Sequence, residues 1–122
     1  MKVVVTAKSK NGLDSEVDPR FGRANYFAVV DTDNMEVNFL ENDAADSSSG
    51  AGVRAAQLIA DQNAEAVLAG SFGPKAFNTL SAAGIKIYSY SSGTIAGAVD
   101  DFKNNCLKEL TSASNNGHVG LK

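Results

Sequence analysis

The sequence predicts an α/β sandwich, in which five short strands form one mixed sheet and three helices pack against it. Two observations carry this prediction. Short apolar, β-branched runs alternate with helix-forming stretches over the second half of the chain, whereas the first half contains strands without helices. The resulting order, β-β-β-α-β-α-β-α, makes strands one, four and five parallel through right-handed crossovers, and strands two and three extend the sheet as a hairpin.

The sequence patterns of the strands predict different degrees of burial. Residues 3–7 are continuously apolar, as is typical of a central strand covered on both faces. Residues 26–31 form the second strand, and residues 35–40 alternate apolar with polar side chains, which places strand three half exposed at an edge. The short runs 66–69 and 85–88 are predicted as strands four and five.

The first two helices have recognisable ends. Residues 53–60 contain good helix formers with their apolar members on one stripe, which predicts helix one. Helix two begins at Gly73 and Pro74, because proline lacks only an N–H group that the first turn leaves unpaired anyway. Gly84 is expected to end this helix in the left-handed conformation.

The third helix is predicted to follow a cap at residues 91–94 and to continue as far as Leu110. Its apolar stripe consists of Ile95, Val99, Phe102, Cys106 and Leu110. Because Cys106 falls on this stripe, it is expected to be a small buried hydrophobe. Residues 1–110 are therefore predicted as one domain, and the polar residues 111–122 as a flexible tail.

Composition argues against several classes of function. The 122 residues are 43 % apolar with a net charge of −3, which is typical of a globular domain and argues against a general nucleic-acid binder. No apolar run approaches the roughly 18 residues of a membrane span, and no signal peptide is evident, so a cytoplasmic location is expected. The single cysteine and the single histidine, His118, support neither a four-ligand metal site nor a Ser–His or Cys–His catalytic pair.

Glycine- and serine-rich junctions precede each predicted helix, over residues 48–52, 70–74 and 91–94. In a parallel sheet such junctions meet at the carboxyl edge, where first-turn N–H groups and helix dipoles favour anions. The loop after strand one leaves from the same edge and carries Arg20 and Arg23, whose guanidiniums suit anionic groups rich in oxygen or sulfur. The sequence therefore predicts an anion-binding crevice at this edge.

The crevice prediction names no catalytic and no metal-ligating residue. Lys75 is included because a cation in the first turn of a helix opposes the dipole and gains nothing structurally. Asp14, Glu16 and Asp18 lack the spacing of a calcium loop and are expected to be a solvated acidic loop. The predicted binding residues are Arg20, Phe21, Gly22, Arg23, Ser49, Gly50, Ala51, Gly52, Ser71, Gly73, Lys75, Gly93 and Thr94.

Several short motifs, taken in order, resemble a known family. They are Phe21-Gly22-Arg23-Ala24, Tyr26-Phe27, Glu41-Asn42, Gly50-Ala51-Gly52, Gly73-Pro74-Lys75-Ala76 and Gly84-Ile85-Lys86-Ile87-Tyr88. From Met1 to about Leu110 the chain resembles the dinitrogenase iron–molybdenum cofactor biosynthesis family, particularly its small single-domain archaeal and bacterial members. The resemblance implies a three-layer α/β/α sandwich of ribonuclease H-like topology, with a mixed five-stranded sheet.

The resemblance also implies binding rather than catalysis. Nitrogenase-associated members carry or store the iron–molybdenum cofactor or its precursors, and a relative, the orange protein of sulfate reducers, holds a molybdenum–copper sulfide cluster. Nitrogenase-linked members commonly have histidine where Arg20 stands, and many have another near the glycines matched by residues 48–50. Because this chain lacks both imidazoles, the pocket is expected to hold its ligand by charge and hydrogen bonds.

These observations lead to one functional hypothesis and two alternatives. The hypothesis is a non-enzymatic carrier for an anionic metal–sulfur cluster or a molybdenum or iron precursor, with cluster-assembly proteins as partners. The first alternative is an enzyme acting on a phosphorylated metabolite or nucleotide, for which Asp18, Asp46 and Tyr90 are the candidate acids or bases. The second is a regulatory module with a vestigial pocket, whose exposed hairpin edge pairs with a partner.

Overall fold

A computed structural model describes residues 1–43 and 50–111 of the chain. The elements are β1 Lys2–Ala7, β2 Tyr26–Asp31, β3 Glu36–Glu41, α1 Ala51–Ala60, β4 Ala66–Ala69, α2 Pro74–Ala82, β5 Lys86–Ser89 and α3 Ile95–Lys103. One 3-10 turn, Gly12–Asp14, interrupts the long loop between β1 and β2. The predicted α/β class with a mixed five-stranded sheet is confirmed, and the ribonuclease H-like label stays a prediction.

The sheet has the strand order β3-β2-β1-β4-β5. β1 pairs antiparallel with β2 and parallel with β4, which in turn pairs parallel with β5. Residues 3–7 of β1 are completely buried, because both faces of this strand are covered, and the strand is therefore apolar without alternation. β3 alternates exposed and half-buried residues at one edge, as its sequence pattern predicts.

Helices cover both faces of the sheet. α1 and α2 pack through Ile59 and Leu80 against the face that includes Val4. α3 packs through Val99 against the opposite face, which includes Val5. Successive side chains of a strand point to opposite faces, so one apolar strand supplies both halves of the core. α3 is therefore separated by the sheet from the other two helices.

The prediction that α3 continues to Leu110 is wrong. The helix ends at Lys103, and Asn105 adopts the left-handed conformation with φ of +59°, which turns the chain back. The returning segment lies along β5, where the Leu110 N–H donates to the carbonyl oxygen of Ile87 at 2.7 Å. Leu110 reaches the core from this direction, on the α1 and α2 face, whereas Cys106 is exposed in the turn. The expected burial of Cys106 is therefore also wrong.

The other predicted helix ends are close to those observed. α1 begins at Ala51, directly after Gly50 with φ of +75°, two residues earlier than its apolar stripe indicates. Gly84 has φ of +81°, and the Thr94 hydroxyl accepts a hydrogen bond from the Gly97 N–H at 3.1 Å, so both predicted caps are confirmed. Among residues 1–43 and 50–111, no helix combines the length and apolarity that a membrane crossing requires. Beyond Thr111, the predicted tail lies outside the described residues.

Candidate functional site

A cavity of about 360 Å³ opens at the carboxyl edge of the sheet, beside the ends of β1 and β4. Three chain segments form it: the loop after β1, the start of α1, and the junction between β4 and α2. Its lining residues are Arg20, Phe21, Gly22, Arg23, Gly50, Ala51, Gly52, Ser71, Gly73 and Ala76. All of these except Ala76 are residues that the sequence predicts for the crevice.

Backbone hydrogen bonds fix the loop after β1 against the junction after β4. The Ser71 N–H donates to the carbonyl oxygen of Pro19 at 2.7 Å, and the Phe21 N–H donates to the carbonyl oxygen of Ser71 at 3.1 Å. These bonds make a parallel bridge between Arg20 and Ser71, beyond the last paired residues of β1 and β4. Gly70 allows this approach, because a Cβ at that position would lie 2.8 Å from the Pro19 carbonyl oxygen.

Phe21 anchors the same loop in the core. Its ring is 1 % exposed and stacks on Phe72, with ring centroids 5.2 Å apart and an angle of 28° between the planes. A second contact, to Phe27, has a centroid distance of 5.6 Å. The side chain therefore holds Arg20 and Gly22 in place on either side of it. The sequence pattern of an aromatic residue between two arginines gave no signal for this aromatic cluster.

Close backbone contacts shape the wall of the cavity. A Cβ on Gly22 would lie 3.1 Å from the Cα of Gly52, and a Cβ on Gly52 would lie 3.1 Å from the Cβ of Ala76. The N-cap residues of α1 and α2 are Gly50 and Gly73, which have no side chain to accept hydrogen bonds from the first-turn N–H groups. The positive ends of both helix dipoles therefore lie at this cavity.

Arg20 and Asp18 form an ion pair at the cavity. The Arg20 Nε lies 3.4 Å from Asp18 Oδ1, and the Arg20 backbone N–H donates to the same oxygen at 2.9 Å. The Arg20 side chain is 64 % exposed, but the Asp18 side chain is only 3 % exposed. The prediction that Asp18 belongs to a solvated acidic loop is therefore wrong. The Asp-Pro-Arg sequence indicates the turn, in which an aspartate typically accepts the N–H two residues later, but it does not indicate that the side chain is buried.

Three predicted residues that the structure describes, Lys75, Gly93 and Thr94, do not line this cavity. Lys75 is exposed on α2, and Ser49 lies outside the described residues. Gly93 and Thr94 line a separate cavity of about 290 Å³. Their junction lies away from the candidate cavity because α3 packs on the opposite face of the sheet. Residues 15–17 also hydrogen-bond to this junction; for example, the Val17 N–H donates to the Gly93 carbonyl oxygen at 2.9 Å.

A second cavity, of about 680 Å³, lies at the opposite, amino edge of the sheet. Its lining includes Ala64, Tyr88, Phe102 and Leu107, with Lys86 at the side. No glycine-capped helix start lies there in the described part of the chain. The cavity at the carboxyl edge is the candidate site because of its chemistry, not because of its size.

Of the candidate acids and bases for an enzymatic role, Asp46 lies outside the described residues. Tyr90 packs over the start of α3, since a Cβ on Gly93 or Gly97 would lie 2.6 or 2.9 Å from its hydroxyl oxygen. Burial, with a smaller contribution from Asp101, raises the pKa of Tyr90. It does not line the candidate cavity. Within residues 1–43 and 50–111, no three acidic, histidine or cysteine side chains cluster closely enough to hold a metal ion.

Comparison with known proteins identifies the family. The family described as dinitrogenase iron-molybdenum cofactor matches residues 1–105, most of the chain. The chain belongs to this dinitrogenase cofactor family. An uncharacterised protein of Methanocaldococcus jannaschii is 31 % identical over 85 residues, which are 67 % of this chain and 72 % of that protein. The resemblance predicted from the sequence motifs is thus confirmed.

Two solved structures of similar proteins support the same assignment. The apo form of the orange protein from Desulfovibrio gigas is 40 % identical, with a TM-score of 0.88 over 92 % of this chain and 94 % of that one. A protein from Thermotoga, assigned to NifB and to the DUF35 family, is 37 % identical, with a TM-score of 0.79 over 91 % and 94 % of the two chains.

Proposed function

We propose that this protein binds an anionic metal–sulfur cluster, or a molybdenum or iron precursor of one, as cargo and without catalysing a reaction. The observation that carries the proposal is one cavity at which Arg20 and Arg23 meet the glycine-capped starts of two helices. The name of the family and the similarity to the orange protein support the same class of cargo.

The chemistry of the cavity suits a large, polarizable anion. Guanidinium is more weakly hydrated than ammonium, so less water must be removed when Arg20 or Arg23 contacts sulfide or oxide. Gly50 has open space where a Cβ would lie, so a ligand can approach its backbone closely, and the helix dipoles add positive potential. The volume of about 360 Å³ lies at the lower end of the range of ligand pockets, roughly 300–1,000 Å³.

The residues at the cavity give no support to a catalytic role. Asp18, the carboxylate that pairs with Arg20, is buried beneath it, and Tyr90 does not line the cavity. A ribonuclease H-like topology would not bring nuclease activity, because that chemistry needs carboxylates on the sheet and β1 carries none. We assign the cluster-assembly machinery as the partner class, since a carrier must receive its cargo from proteins that build it.

Titration tests the proposal directly. Apo protein is titrated with tetrathiomolybdate plus Cu(I), and separately with isolated iron–molybdenum cofactor, while the visible absorbance of the bound species is followed. We expect saturable binding at micromolar concentrations, weakened about 10²–10⁴-fold in Arg20→Ala/Arg23→Ala, because each of the two lost charge-assisted hydrogen bonds contributes about 1.5–3 kcal/mol. Lys103→Ala is the matched control, since Lys103 is an exposed cation at the far end of α3.

Two results of this titration would refute the proposal. Absence of saturable binding by the wild-type protein, or equal affinity of the double variant and Lys103→Ala, excludes this cavity as the cluster site. Inorganic phosphate is included as a competitor. If phosphate binds at the cavity and displaces tetrathiomolybdate at equal concentration, a phosphorylated ligand replaces the cluster as the explanation.

A further inference from the structure

A buried carboxylate lies beside the proposed anion site. Asp18 is 2 % exposed and is adjacent in sequence to the cavity-forming segment. A negative charge at this position repels an anionic ligand, and burial of an unpaired charge destabilises the folded protein. Plain anion binding therefore does not explain an aspartate here, and a neutral hydrogen-bond acceptor such as asparagine could form the same turn.

The backbone of Asp18 is fixed by the central strand. The Asp18 N–H donates to the carbonyl oxygen of Thr6 at 3.0 Å, and the Thr6 hydroxyl donates to the Asp18 carbonyl oxygen at 2.6 Å. Thr6 itself is completely buried in β1. The loop backbone that carries the carboxylate is thus held against the central strand by two hydrogen bonds.

The Asp18 carboxylate contacts Arg20 at its backbone N–H and at the Nε–H of its guanidinium. Asp18 Oδ1 accepts the Arg20 backbone N–H at 2.9 Å and the Nε–H at 3.4 Å. Within the described residues, Nε is the only Arg20 side-chain nitrogen that contacts a carboxylate. A guanidinium has five N–H donors, so the four on its two Nη atoms are left for another acceptor.

We infer that Asp18 is a positioning residue, which holds Arg20 by its Nε edge so that the Nη groups are presented to the anion in the cavity. This inference rests on the proposed function. An untethered arginine that is 64 % exposed samples many rotamers, and binding must then order it. The tether supplies that order before the ligand arrives, whereas the repulsion from Asp18 is neutralised by Arg20 itself.

The inference predicts that the effect of Asp18 changes sign with Arg20. With Arg20 present, Asp18→Asn keeps the turn but loosens the guanidinium, and we expect about five- to tenfold weaker binding. In an Arg20→Ala background the carboxylate has no partner and only repels the ligand. There the same Asp18→Asn change is expected to tighten binding about twofold or more.

A double-mutant cycle with tetrathiomolybdate plus Cu(I) as the probe shows whether Asp18→Asn weakens or tightens binding in each background. The four proteins are wild type, Asp18→Asn, Arg20→Ala and the double variant, with Asp61→Asn as an exposed carboxylate control at the far end of α1. Weakening by Asp18→Asn in both backgrounds indicates a purely structural role and overturns the inference. Tightening in both backgrounds indicates repulsion alone and overturns it too.

A measurement without ligand separates this inference from the proposed function. In nitrogen-15 spectra, the Arg20 Nε–H is expected to exchange slowly with water in the wild-type protein and in Asp61→Asn, and rapidly in Asp18→Asn. Equal exchange in all three proteins refutes the tether, whatever binds. If the tether is observed but wild-type protein does not bind the probe, the cluster-binding function is refuted and the positioning of Arg20 stands.

Discussion

Replacement of Gly70 by alanine tests whether the loop after β1 must lie against the junction after β4 for the site to form. A Cβ at this position would lie 2.8 Å from the carbonyl oxygen of Pro19 and 2.9 Å from its Cα. Both distances are shorter than real Cβ contacts, and the obstructing atoms include backbone. The segment from Pro19 to Phe21 must therefore shift, and with it the hydrogen bonds to Ser71.

The expected destabilisation follows from two opposing effects. Overpacking of a tight contact costs about 1–3 kcal/mol. Alanine also restricts the unfolded chain more than glycine does, which returns about 0.4–1 kcal/mol. The free energy of unfolding should therefore fall by about 1–2 kcal/mol, equivalent to a decrease in Tm of roughly 4–8 °C for a chain of this size. The affinity for tetrathiomolybdate plus Cu(I) should fall about tenfold, because Arg20 moves with the loop.

Urea unfolding followed by far-ultraviolet circular dichroism gives the stability, since the chain has no tryptophan. Gly84→Ala is the matched control. A Cβ there meets nothing within 4 Å, but φ is +81°, so the substitution should cost about 1–2 kcal/mol at the opposite edge of the sheet. Equal losses of stability with an affinity loss only in Gly70→Ala support the reasoning. Wild-type affinity in a destabilised Gly70→Ala shows that the position of this loop does not determine binding.

Four further predictions concern packing, capping, titration and reactivity. Phe21→Ala should lower the free energy of unfolding by about 3–5 kcal/mol in the same urea assay, because its ring is buried between two others. Thr94→Ala should cost about 1 kcal/mol through loss of the α3 cap and leave cluster affinity unchanged; a marked loss of affinity would return this residue to the site. The raised pKa of Tyr90 stabilises the fold fully below pH 10 and progressively less as pH rises through the folded-state pKa. In phenolate absorbance titrations, Asp101→Asn should lower that pKa in part, with Tyr90→Phe identifying the signal. Cys106 should react completely with a thiol reagent in native protein, whereas a slow reaction limited by unfolding would indicate burial.

The fold was predictable where a local pattern determines the structure. The continuous apolar run of β1 indicates a strand covered on both faces, and both faces are covered. The end of α3 was not predictable from periodicity, because Leu110 continues the helical stripe but reaches the core from a reversed chain. The decisive residue is Asn105, whose left-handed conformation interrupts the helix. Asparagine tolerates that conformation in many contexts, so its presence alone gives no warning.

The sequence predicted at which edge of the sheet the cavity lies, but not which of the helix junctions at that edge line it. The rule that strand-to-helix junctions gather at the carboxyl edge places Arg20, Gly52 and Gly73 together, as observed. The same rule also places Thr94 there, but it does not say which face of the sheet a helix covers. α3 covers the other face, and its junction opens into a different cavity. The burial of Asp18 was not predicted, because it follows from backbone hydrogen bonds that hold this loop against Thr6 in β1.

The glycines and the arginines of this cavity contribute different kinds of information about function. Gly52 and Gly70 are required by the packing of the fold, since a Cβ on either would press on a neighbouring segment whether or not a ligand binds. Their presence therefore supports a close meeting of backbones but does not by itself indicate an anion. Arg20 is different, because its exposed side chain fills no space in the core and its partner Asp18 lies buried beneath it. A buried carboxylate paired with an exposed guanidinium is weak evidence for a role in stability, yet the pair fixes a charge at the mouth of the cavity. The orientation of Arg20 is thus the feature that packing leaves unexplained and that the proposed ligand binding would explain.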